Sequence, residues 1–151
     1  LSDRVMTALR QRCLDLISLA KKAGCIVVGN DQVASYLRSQ EPAWRLEASD
    51  GASDGRSKLN GLSLAWGGVP TAGCFTGAEL GMALGRDVVV HALLTPGQLA
   101  DSWTTEIRRL GGFIALVPED WPKDMSEGMG LDQEDDESDD WSDDDEEDDQ
   151  S

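Results

Sequence analysis

Three polar side chains at the start of one predicted helix are the clearest candidates for ligand binding in this chain. Asn30, Asp31 and Gln32 follow a glycine turn at Gly29 that ends a short apolar run. The first N–H groups of a helix have no intrahelical partner, so a helix start favours anions. Asp and Gln side chains there also hydrogen-bond base edges or cap the helix. The pattern leaves two interpretations open, a binding surface and a capped helix start.

The residue types that catalysis and metal binding require are sparse. The single histidine, His91, lies in the apolar run VVVHALL, and we interpret it as a satisfied core histidine rather than a general base. Three widely spaced cysteines lie among apolar residues, so we expect small buried side chains, not disulfides or a zinc site. No phosphate-binding, hydrolase or metalloprotease motif occurs. We therefore expect no enzyme, with no catalytic residues, no cofactor and no metal.

The charge of the chain is divided unevenly between two regions. The formal charge is −16, yet residues 119–151 hold 18 Asp and Glu with one Lys, while residues 1–118 hold 12 Lys and Arg against 11 Asp and Glu. We expect residues 1–118 to fold as one near-neutral domain. Residues 119–151 are predicted to be a disordered acidic tail, because their charges repel and they have little apolar surface to bury. Within this tail, Trp121 and Trp141 are each either an anchor or a solvated side chain.

Features that the sequence lacks indicate the cellular compartment and the extent of the chain. No apolar run approaches the roughly 18 residues that cross a bilayer, and no signal peptide is visible. Together with the unpaired cysteines, this predicts a cytoplasmic protein with no membrane partner. The chain begins at Leu1 rather than Met, which suggests a fragment of a longer protein.

Alternating helices and strands must position the helix start after Gly29. Apolar residues recur every three or four positions over 3–23, which predicts a helix ended by Gly24. Further helices are predicted over 30–39, 77–84 and from Thr95 to about 110, with an ambiguous one over 53–66. Strands are predicted over 25–28, 44–49, 69–74, 88–94 and, as a possible fifth, 113–117. This order predicts an α/β fold, a three-layer α/β/α sandwich with a mixed sheet of four or five short strands.

Strand-to-helix turns gather at one edge of the sheet in such a sandwich. Residues 28–32 would lie along this edge, and residues 85–88 would border it if the strand that follows them is antiparallel. Lys21, Lys22 and Arg86 also lie at the ends of elements, where they can contact phosphate. The alternative for these basic residues is an ordinary solvated face.

Two stretches of the chain resemble the kink-turn RNA-binding ribosomal-protein superfamily. They are LISLAKKAGCIVVGNDQVASYLRS and, further along, FTGAELGMALGRDVVVHALL, and the similarity spans about residues 9–100. The superfamily includes archaeal and eukaryotic seven-Ae large-subunit proteins and bacterial YlxQ-like proteins, a domain that sometimes follows a YlxR-type nucleic-acid-binding domain. The resemblance implies the same three-layer sandwich and non-catalytic binding of structured RNA, with ribosomal RNA among the candidates.

The same resemblance implies which residues contact RNA. The superfamily opens its second helix with the signature G-x-N-E-x-x-K, and the positions of this region that we assign to RNA are Gly29, Asn30, Asp31, Gln32 and Ser35. Asp31 stands where the superfamily has Asn, Gln32 where it has Glu, and Ser35 where it has Lys, a change that removes one phosphate contact. The second contact loop is matched by Gly85, Arg86, Asp87 and Val88.

These observations favour a non-catalytic RNA-binding protein linked to the ribosome or to translation. The alternative is a protein-interaction module that keeps the fold, does not bind RNA, and docks a basic protein through its acidic tail. A net charge near +1 on residues 1–118 is low for a nucleic-acid-binding domain, because affinity comes mostly from phosphate neutralisation. The tail suits either function, since it can bind a basic partner or fold back over the domain as an acidic mimic of phosphate.

Overall fold

The elements of the fold are defined by a computed structural model, which describes residues 2–121. Most of the tail predicted over 119–151 therefore lies outside the described residues. Within residues 2–121 the helices are α1 (Ser2–Lys22), α2 (Asn30–Ser39), α3 (Ser53–Leu64), α4 (Gly77–Leu84) and α5 (Gln98–Leu110). The strands of the same range are β1 (Ile26–Val28), β2 (Trp44–Glu47), β3 (Thr71–Ala72) and β4 (His91–Leu94).

One mixed sheet joins these strands in the order β1-β4-β2-β3. Strand β4 lies between β1 and β2 and is antiparallel to both, whereas β3 is parallel to β2. Val28 is paired with Ala92, and Glu47 with His91. The end of β1, the end of β2 and the start of β4 therefore meet at one edge of the sheet, here called the upper edge.

Helices cover both faces of the sheet and bury two apolar clusters. Helices α1, α4 and α5 pack on one face, where Trp44 meets Trp103 of α5 edge to face with ring centroids 5.2 Å apart. Helices α2 and α3 pack on the other face around Val33, Leu59 and Leu93. The predicted α/β sandwich with a mixed sheet is confirmed, and the ambiguous stretch over 53–66 contains helix α3.

Several predicted elements differ from the structure. Strand β2 ends at Glu47 rather than at residue 49, and β3 covers only Thr71–Ala72 of the stretch predicted over 69–74. Residues 88–90 enter β4 but are not part of it, and the side chain of Val88 is 60% exposed. Helix α5 begins at Gln98 after Gly97, not at Thr95. The fifth strand predicted over 113–117 is wrong. Strand β3 is two residues long and offers little edge to pair with, and the 113–117 segment contacts it through the 2.6 Å bond from Gly73 N–H to the Leu116 carbonyl.

Candidate nucleic-acid interface

The turn between β1 and α2 is held at the upper edge by its glycine. Gly29 has a φ of 103°, which L side chains rarely adopt, and its N–H donates to the His91 carbonyl at 2.9 Å. No side chain caps α2 in the described structure. Asp31 and Gln32 are exposed in its first turn, and Ser35 is exposed one turn later. Because the pair does not cap the helix, its polar atoms face solvent and are available to a ligand.

The loop from Gly85 to Val88 is positioned by close contact with helix α4. Gly85 ends α4 in the left-handed conformation, with a φ of 75°, and the Arg86 N–H donates to the Gly81 carbonyl at 2.8 Å. A Cβ placed on Gly81 would lie 2.6 Å from the Asp87 carbonyl oxygen. Only a glycine at position 81 lets the loop approach the helix this closely.

Helix α4 is itself anchored at its start. Thr76 and Glu79 form a capping box, and Glu79 also accepts two 2.8 Å hydrogen bonds from Arg10 of α1. Burial raises the pKa of the Glu79 carboxyl, but the hydrogen bonds from Arg10 and Thr76 outweigh this and hold the pKa below its usual value. The carboxylate therefore remains ionised and ties α4 to α1.

A cleft of about 130 Å³ joins the turn and the loop at the upper edge. Its lining residues are Val28, Gly29, Asn30, Arg86, Val88, Val89, Val90 and His91. Four of these eight residues are valine, and Asn30, Arg86 and His91 supply an amide, a guanidinium and an imidazole. Two segments more than 50 residues apart in the sequence thus share one surface, because β4 is antiparallel to β1 and starts beside its end.

The two lysines assigned to the site lie elsewhere. Lys21 and Lys22 end helix α1, and the chain then enters the start of β1 at the opposite edge of the sheet. The Thr95 N–H, just past the end of β4, donates to the Cys25 carbonyl at 2.9 Å, which fixes this edge. The structure does not bring these lysines together with Asn30 or Arg86.

A buried ionic network beneath the cleft was not expected from the sequence. Glu47 accepts from Arg45 Nη2 at 2.6 Å and lies 2.7 Å from His91 Nδ1, and both Arg45 and Glu47 are 1% exposed. Arg45 also donates to Asn60 of α3 at 2.7 Å. The alternation in WRLEAS signalled a strand, but it could not show that α3 covers the polar face. His91 has a hydrogen-bond partner, as predicted, but it is half-buried at the start of β4 and lines the cleft, so it is not a core residue.

Gly55 in the first turn of α3 brings this network close to the α2 turn. A Cβ at Gly55 would lie 2.7 Å from His91 Nε2 and 2.9 Å from Asn30 Nδ2. The imidazole and the amide therefore converge on the same point. This arrangement depends on the absence of a side chain at Gly55.

The packing of Trp121 on Arg56 and Gly73 is a second feature that the sequence did not predict. Its side chain is 7% exposed, and its ring lies over the Arg56 guanidinium with 4.0 Å from the arginine carbon to the ring centroid. The ring also packs against Gly73, where an added Cβ would overlap it. Of the two alternatives for Trp121, the structure thus shows an anchor, whereas Trp141 lies outside the described residues.

All three cysteines are free thiols in the described range. Burial raises the pKa of Cys13 to about 12 and that of Cys74 to about 11, which keeps both thiols protonated at neutral pH. Cys13 is buried, whereas Cys25 and Cys74 are half-buried and free. Residues 2–121 contain no group of three His, Cys, Asp or Glu side chains suited to a metal ion. None of the helices in this range has the length and apolar character needed to cross a bilayer.

The fold resembles those of proteins of known structure. No protein-family model matches the chain, and no curated protein matches its sequence. A protein of unknown function from Bacillus halodurans has a similar structure, with a TM-score of 0.58, 20% identity, and coverage of 64% of this chain and 96% of that chain. The Giardia lamblia 15.5 kD RNA binding protein matches with a TM-score of 0.55, 15% identity, and coverage of 71% and 91%. This chain shares its fold with an RNA-binding protein. Identities this low show the fold alone.

Proposed function

We propose that this chain is a non-catalytic protein that binds structured RNA at the upper edge of its sheet. The observation that carries the proposal is the cleft shared by Gly29–Asn30 and the loop that contains Arg86 and Val88. These are the two segments that the resemblance relates to RNA contact. The fold shared with the Giardia protein supports the same function. On the basis of the resemblance, we further propose a kink-turn RNA as ligand and a role at the ribosome or in translation. The unpaired cysteines support a cytoplasmic location.

The charges at this edge favour base contacts over contacts to phosphate. Arg86 is exposed beside the cleft, but Asp31, Asp54 and Asp87 are exposed near it. Such a surface gains little from phosphate neutralisation. Asp31 can accept from an amino group on a base edge, and Gln32 can both donate and accept. Arg86 can bind phosphate or stack on a base.

The first test replaces Asp31 and Gln32 with Ala. We expect RNA affinity to fall about tenfold or more, since a good side-chain contact to a base is worth about 1–3 kcal/mol. The thermal stability should change little, because neither side chain caps α2. Titration of a labelled kink-turn hairpin at low salt measures the affinity, and thermal melting measures the stability.

The matched control for that test is Lys21→Ala/Lys22→Ala, which alters exposed side chains at the opposite edge. This variant should bind RNA as the wild type does. An equal loss of affinity in both variants, or a loss in the Asp31/Gln32 variant that follows a loss of stability, would contradict the proposed interface.

We propose that the acidic segment lowers RNA affinity by charge repulsion. Residues 122–151 carry 16 Asp and Glu with one Lys. Deleting them should raise affinity for the hairpin, and more so at 50 mM than at 200 mM salt, because salt screens charge repulsion. The salt dependence of log K should therefore become steeper. Unchanged affinity at both salt concentrations would rule out this role for the segment.

The second candidate function, a protein-interaction module that docks a basic partner, is favoured by the exposed carboxylates at the upper edge. The same deletion experiment separates the two functions. If neither the full chain nor the shortened one binds structured RNA at low salt, the interaction module becomes the better proposal. Retention of the full chain, but not the shortened one, on an immobilised polylysine column would then support it.

A further inference from the structure

Trp121 stacks on Arg56 in the way that an aromatic ligand stacks on an arginine side chain. Arg56 is 8% exposed, and its Nη1 donates to the Gly51 carbonyl at 3.2 Å, which fixes the position of the guanidinium. The ring covers it at 4.0 Å. Guanidinium planes stack on nucleobases as they do on tryptophan. The same surface of Arg56 could therefore accept a base if the tryptophan moved away.

The stack lies beside the candidate interface. Arg56 follows Gly55 in the first turn of α3, and Gly55 is in contact distance of both Asn30 and His91. A base on Arg56 would thus be next to the polar groups of the cleft. An RNA strand that reaches the cleft can extend onto this platform without crossing to another face of the domain.

Trp121 and the residues after it carry the two kinds of chemical group that a nucleic acid strand presents. The aromatic ring is placed on a guanidinium, and the 30 residues that follow it carry 16 carboxylates and one lysine. A nucleic acid strand likewise combines flat rings with repeated negative charges. The chain therefore carries, next to its own interface, a group that resembles the proposed ligand.

We propose that Arg56 is a base-stacking site and that Trp121 occupies it as an intramolecular mimic of a nucleotide. This inference rests on the proposed function, because it concerns regulation of the same interface. RNA and Trp121 compete for the Arg56 guanidinium, so RNA binding displaces the tryptophan. The Trp121 backbone is held by the 3.2 Å bond from its N–H to the Pro118 carbonyl, whereas Arg56 is fixed within α3 and remains in place when the ring leaves.

The test uses the full chain and two ways of removing the ring. Trp121→Ala deletes it, and Gly73→Ala expels it, because the new Cβ would overlap the ring. We expect both variants to bind a labelled kink-turn hairpin about tenfold more tightly than the wild type, since stacking of a single base is worth roughly that factor. Gly61→Ala is the matched control, because a Cβ there meets no atom within 4 Å, and its affinity should not change.

Two further variants separate stacking from a general loss of packing. Arg56→Gln should weaken binding, and Trp121→Ala/Arg56→Gln should bind as weakly as Arg56→Gln alone. In the wild type with fluorinated tryptophan, the fluorine resonance of Trp121 should move to an exposed position when RNA is added. Trp121→Phe assigns that resonance by its disappearance.

The outcomes distinguish this inference from the proposed function. If the wild type binds RNA but Trp121→Ala and Gly73→Ala do not bind more tightly, or if the Trp121 resonance does not move, Trp121 is only a packing anchor and the inference is overturned. If the wild type and Trp121→Ala both fail to bind the hairpin at low salt, the proposed function fails and the inference fails with it.

Discussion

At the scale of single residues, the ionic network of Arg45, Glu47 and His91 is the least expected feature. Two fully buried charges lie on one short strand and pair with each other, and Arg45 also donates to Asn60. Burial of an ion pair is costly, and here the cost is only partly offset, because the buried Arg45 Nε has no hydrogen-bond partner among the described residues. Because His91 belongs to the network and also lines the cleft, the core and the proposed interface share this side chain.

The variant Glu47→Gln tests this network. An amide has one acceptor oxygen where the carboxylate has two, so it accepts fewer hydrogen bonds. It also carries no charge and leaves Arg45 without a counter-ion. We expect the free energy of unfolding to fall by about 3–5 kcal/mol, the usual cost of breaking a buried pair. Urea unfolding measures it, with Glu41→Gln as an exposed control. A loss no larger than that of the control would show that the network does not depend on charge.

At the scale of elements, the helices were predicted more accurately than the strands, because helix signals are local in the sequence and strand pairing is not. Helices α2 and α4 have the bounds predicted over 30–39 and 77–84, because caps, glycines and apolar periodicity act within a few residues. A strand needs a partner strand, which is often far away in the sequence. For this reason the strand predicted from the apolar run over 88–94 was too long, and the strand predicted over 113–117 does not form.

The candidate site shows the same difference between local signals, which the sequence reveals, and long-range contacts, which it does not. The resemblance assigned residues to both segments of the cleft, and the strand order explains why they meet. The position of Lys21 and Lys22 at the end of an element also assigned them to the site, but they lie at the far edge. The pairs Glu47–His91 and Arg56–Trp121 are separated by 44 and 65 positions in the sequence. No local sequence pattern indicates a contact at such a separation, so neither pair could be predicted from the sequence.

Helix α4 offers a test of how one element responds to pH. The pKa of Glu79 is lowered in the folded state, so its contribution to stability is complete above the unfolded pKa of about 4.3 and is lost as pH falls through the folded value. We expect acidification from pH 7 to pH 3 to lower the melting temperature of the wild type more than that of Glu79→Gln. Equal decreases in the two proteins would assign the acid sensitivity to other carboxyls. Glu41→Gln should behave as the wild type does.

At the scale of the whole molecule, the proposed interface and the two lysines at the end of α1 lie at opposite edges of the sheet. The upper edge gathers the α2 turn, the loop before β4, the start of α3 and the Trp121 anchor. The opposite edge carries the end of α1 with its two lysines. The acidic residues 122–151 follow Trp121 directly in the sequence, so the chain attaches most of its negative charge beside the proposed interface. The predictions for the shortened chain and for Trp121 both depend on this attachment point.

The central position of β4 also determines when the protein can fold as it is synthesised. In the described sheet β1 and β2 are neighbours of β4 and not of each other. A nascent chain that has produced both early strands still lacks the strand that joins them, until Leu94 has left the ribosome. Until then the apolar faces of α1 and α2 have no completed sheet to cover, which exposes them to aggregation or to chaperones. Pairings of such long sequence separation also slow folding. Trp121, which lies beyond α5, is then among the last of the described residues to reach its place.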